Sequence, residues 1–118
     1  MIRISGLALA LLLDVSSPAW AAPDPLRTIA EQSGFTKTGR YDEVIALCAS
    51  FQKAYPASVR CAQFGRSPEG RPMMALIASR TGALAAKQAH ARGLPVTLIQ
   101  GGIHAGEIDG KDAGFLAL

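Results

Sequence analysis

Between Gly39 and Tyr55, apolar residues recur at three- and four-residue spacing: Tyr41, Val44, Ile45, Cys48, Phe51 and Tyr55 fall on one face of a predicted helix, and that face should be buried. Thr38 stands where an N-cap belongs and Pro56 ends the segment. Asp24 before Pro25 is a second helix start, and Gly34 is its stop, so Pro25–Ser33 should be a short covering helix. The period then changes. Val59–Phe64 and Pro72–Ala78 are strand-like, and Gly65-Arg66-Ser67-Pro68-Glu69-Gly70 between them carries dense turn chemistry, which predicts a β-hairpin. Met73–Ala78 is apolar without alternation, as in a strand covered on both faces. The alanine-rich stretch Arg80–Gly93 fits a helix or a surface excursion. Pro95 introduces Val96–Gln100, a β-branched run predicted as an interior strand and ended by Gly101 and Gly102. Ile108, Ala113, Phe115 and Leu116 predict a last helix, which Gly110 and Gly114 each weaken by about 1 kcal/mol relative to alanine.

The first residues follow a different rule. Arg3, the apolar run Leu7–Leu13 and the small-residue site Ala19-Trp20-Ala21 make the pattern of a cleavable signal peptide over residues 1–21. The run is too short to cross a bilayer and Asp14 interrupts it, so no membrane span is expected after cleavage. The chain would then be exported, to a periplasm or the cell exterior. There Cys48 and Cys61 could form a disulfide, although two buried thiols fit the sequence equally well. A formal net charge of +3, spread without clusters, offers no basic face for nucleic acid.

The chemistry concentrates at Val96–Glu107, where an apolar strand runs through two glycines into His104-Ala105-Gly106-Glu107. An imidazole and a carboxylate three residues apart, just past a strand end, can turn toward one cation. Neutral imidazole and carboxylate suit zinc, which polarises a carbonyl and brings the pKa of a bound water toward about 7. That chemistry hydrolyses amides or esters. A catalytic zinc takes three protein ligands, so His104 and Glu107 make an incomplete set.

These residues resemble a known family. Gly102-Ile103-His104-Ala105-Gly106-Glu107 is similar to the first zinc motif of the carboxypeptidase A-like zinc metallocarboxypeptidases. Thr38-Gly39-Arg40-Tyr41-Asp42-Glu43 resembles that family's entry to its first helix, and Gly65–Pro72 its hairpin turn. The resemblance implies an α/β fold with a mixed β-sheet flanked by helices, truncated after the first zinc motif. It divides the chain into residues 1–21 (signal peptide), 22–37 (an extension with a short helix) and 38–118 (the N-terminal part of the zinc carboxypeptidase-like domain). It implies one Zn2+ held by His104 and Glu107, with a third histidine ligand and the general-base glutamate expected downstream of Leu118. No catalytic residue would then lie within this stretch, and the stretch alone should not turn over. Peptide or amide substrates follow. The arginine common between the alanine and glutamate of this motif is replaced by Gly106, which removes a substrate contact. An amidase or deacylase on the same scaffold is therefore an alternative, as is an exported binding domain in which His104 and Glu107 merely pair.

Other polar residues are expected to be ordinary. His90 reads as a surface residue. Asp109 and Asp112, flanking Lys111, read as exposed charges on the first turns of the last helix, with orienting a metal ligand as the alternative role. Arg66, Glu69 and Arg71 read as a solvated hairpin tip, and Ser67 has no adjacent base.

Overall fold

A computed structural model describes residues 24–104 and 106–118. The segment read as a signal peptide lies outside the described residues. The elements, in chain order, are α1 (Ile29–Gln32), α2 (Tyr41–Ala54), β1 (Val59–Arg66), β2 (Pro72–Ala78), α3 (Ala86–Ala91) and α4 (Ile108–Leu116), a mixed α/β arrangement. The hairpin forms as the sequence predicts. β1 and β2 pair antiparallel from Val59↔Ala78 to Arg66↔Pro72, with an irregularity between Gln63 and Gly65 that leaves Phe64 unpaired and exposed. Its tip is closed by its own groups: the Ser67 amide donates to the Arg71 carbonyl at 2.9 Å and the Arg66 guanidinium to the Gly70 carbonyl at 2.7 Å.

Helix α2 lies on the hairpin, and Leu47, Phe51 and Val59 form the core, with Leu26, Leu76 and Phe115 packed against it. The buried stripe of α2 is Leu47, Cys48 and Phe51. It is narrower than the periodicity suggests, because Tyr55 lies past the last helical residue and is half exposed. Cys48 and Cys61 are bridged, with Cα atoms 5.4 Å apart, which ties α2 to β1. The Gln52 side chain accepts from the Cys61 amide at 2.7 Å beside the bridge.

Four expectations are corrected. The first helix is a single turn, because Thr28 outcompetes Asp24 as its cap: the Thr28 hydroxyl accepts from the Glu31 amide and Glu31 accepts from the Thr28 amide, a reciprocal capping box. Helix α2 starts after Arg40 without a side-chain cap, since the Thr38 hydroxyl is committed elsewhere. Strand β2 is only half-buried from Met74 to Ile77 and exposed at Met73 and Ala78, short of full cover on both faces. Val96–Gln100 forms no strand, and Val96, Leu98 and Ile99 are 78%, 86% and 77% exposed. A strand exists only through its hydrogen-bonded neighbours; among the described residues β1 and β2 pair with each other, and nothing lies alongside this run. The open stretch after β2 resolves into the short helix α3, on which His90 is exposed, as expected.

Candidate metal centre

The loop between Gln100 and α4 is shaped by glycines. Gly102 and Gly106 have φ of +67° and +96°, a region that L side chains rarely adopt. Gly101 is needed for a different reason: a Cβ there would stand 2.7 Å from the backbone of Gly110 in the first turn of α4. The loop entry thus rests directly on the helix that leaves it. Gly110, which weakens α4 as an isolated helix, is what allows this approach.

His104 and Glu107 converge at the tip. Imidazole Nδ1 lies 2.7 Å from Glu107 Oε1, and the His104 amide donates to Glu107 Oε2 at 3.2 Å. An ionised carboxylate only accepts, so the contact is a hydrogen bond in the tautomer that bears hydrogen on Nδ1. The side chains are 78% and 52% exposed, and ion pairs at such exposure add little to stability. Imidazole and carboxylate are donors of the kinds that zinc takes, and in this structure the two are engaged with each other. No group of three or more metal-ligating side chains occurs among the described residues.

Behind the loop lies a cluster that sequence reading missed. Asp112 is buried, not a solvated charge: its Oδ2 accepts from the Thr38 hydroxyl at 2.9 Å and its Oδ1 is 2.6 Å from Lys111 Nζ. That second contact is an ion pair outside hydrogen-bond alignment, and Oδ1 has no other partner. Lys111 Nζ also binds Glu43 Oε2, while Glu43 Oε1 accepts from the Ile29 amide at 2.5 Å. All three charged side chains are at most 14% exposed. Burial works against the Lys111 charge, but the close carboxylates of Asp112 and Glu43, the latter hydrogen-bonded to it, outweigh burial and raise its pKa. A signal for burial was present: Lys111 and Asp112 stand four and three residues before Phe115, on the face of α4 that packs into the core. Asp109, one position off that face, is exposed.

A mixed α/β chain that presents an imidazole and a carboxylate together on a glycine-built loop has the makings of a metal-dependent hydrolase. Residues 44–118 match the zinc carboxypeptidase family, and the chain belongs to it. Neither the curated proteins nor the solved structures compared with it gave a match. Membership supplies, at family level, a zinc-dependent peptidase with peptide substrates. No helix among the described residues is long and apolar enough to cross a membrane.

Proposed function

We propose that this chain is part of an exported zinc-dependent hydrolase of peptide or amide bonds, in which His104 and Glu107 are two of the three zinc ligands. The observation that carries this reading is the convergence of Nδ1 and Oε1 at 2.7 Å on a glycine-shaped loop, within the stretch that matches the family. The third ligand and the general base would come from outside residues 1–118. The chemistry that zinc supplies in such a site is polarisation of the scissile carbonyl and a nucleophile at neutral pH. The chain's own part is to bind and orient. Glu107, at the N-cap position of α4, is held by the His104 ring and amide, so its carboxylate is aimed before any ion arrives. As a ligand through Nδ1, His104 carries no proton there. The Cys48–Cys61 bridge supports export to an oxidising compartment.

Metal content of the zinc-loaded, dialysed full-length protein, which carries the third ligand, tests the main reading. One ion in the wild type and its loss in His104→Ala are expected; equal zinc in both would overturn it.

A further inference from the structure

We propose that Thr38, Glu43, Lys111 and Asp112 form the positioning device of the His104–Glu107 pair, locking the rotation of α4 so that the Glu107 carboxylate faces the cation. This deepens the zinc reading above and rests on it. The side-chain hydrogen bonds of His104 and Glu107 run only between these two residues among the described ones, and both are exposed. Their rigidity therefore has to come through the backbone, from α4 and from the contact of Gly101 with Gly110.

Helix α4 is held at two places. Phe115 stacks on Phe51 with ring centroids 6.0 Å apart, but it lies roughly 12 Å along the axis from Glu107 at 1.5 Å per residue. One apolar contact at that distance permits the near end to swivel. Lys111 and Asp112 are about one turn from Glu107, and their partners belong to separate parts of the chain: Glu43 on α2, itself bound to the first amide of α1, and Thr38 before α2. An ammonium placed between two carboxylates on different elements, one of which also takes a hydroxyl, brings all of these contacts together at one rotation of the helix. Three buried charges are a poor way to gain stability alone, since apolar residues of similar size often serve as well. Orientation is what they add.

Zinc titration of the full-length protein, third ligand included, followed by its histidine ring NMR signals, tests the proposal without relying on turnover. His104 should respond, and exposed His90 on α3 serves as an internal reference. Lys111→Met and Thr38→Val are expected to weaken zinc binding at His104 at least about tenfold, the range for losing an outer support of a ligand. Thr38→Ser, which keeps the hydroxyl, should restore it and serves where Lys111→Met does not fold. Val59→Ala, which thins the core on which Phe115 packs but leaves all four polar residues in place, controls for general destabilisation and should bind zinc as the wild type does. Binding within twofold of wild type in both Lys111→Met and Thr38→Val would overturn the proposal. Equal weakening in Val59→Ala at a matched fall in Tm would overturn it too. A wild-type His104 signal indifferent to zinc would instead overturn the proposed function, a result distinguishable from either.

Discussion

Replacing Gly101 by alanine should damage this chain more than replacing either helical glycine, although Gly101 lies in an exposed loop. The added Cβ would meet Gly110 C and O at 2.7 Å and its Cα at 3.0 Å, all backbone atoms that cannot rotate away. Ordinary carbon contacts lie at about 3.5–4.0 Å, so α4 must retreat by nearly 1 Å or the loop must bend. Overpacking of this kind costs about 1–3 kcal/mol. Gly110→Ala meets the same interface more gently, with its Cβ 3.1 Å from Gly101 Cα and 3.3 Å from Gly102 N. There a helix-propensity gain of up to about 1 kcal/mol offsets the smaller clash, and the net change should lie near zero. Gly114→Ala has nothing within 4 Å and should show the propensity gain undiminished, about 0.5–1 kcal/mol of stabilisation. Urea unfolding of the three variants with the disulfide intact measures the series. The order Gly114→Ala above Gly110→Ala above Gly101→Ala is expected. A Gly101→Ala midpoint equal to wild type, or Gly110→Ala as stabilising as Gly114→Ala, would show that loop and helix do not touch.

Two further outcomes follow from buried features. Reducing the Cys48–Cys61 bridge, or replacing both cysteines by alanine, should cost about 3 kcal/mol for a loop of this size and lower Tm by more than about 10 °C in a thermal scan with and without reductant. An unchanged Tm would mean that packing alone fixes α2 on β1. Because the Lys111 pKa is raised above the ordinary 10.5, its contribution to stability is complete below that value and is lost as pH climbs through the higher folded pKa. Stability measured from pH 9 upward should thus fall in the wild type more steeply than in Lys111→Met, and parallel curves would refute the pairing.

What could be read from the sequence was what local pattern decides. The hairpin, the body of α2 and the existence of α4 followed from periodicity and turn residues, although β1 runs on through Gly65 and Arg66, which read as turn; the proximity of His104 to Glu107 followed from their three-residue spacing. What depends on distant partners could not be read the same way. Val96–Gln100 has strand composition, but composition does not supply a neighbour. Thr38 looked like a cap because capping is a local habit of threonine, whereas its hydroxyl reaches Asp112, 74 residues on. Asp112 looked like a solvent-facing charge because charge usually marks the surface; only its spacing from Phe115 argued otherwise.

The bare run at Val96–Gln100 also bears on how such a chain must be handled. Five successive uncharged residues rich in β-formers, headed by the sole proline that could break them, are an adhesive stretch whenever they stay unshielded. A stretch of this kind is expected to promote self-association that rises with protein concentration, which light scattering across a dilution series would read.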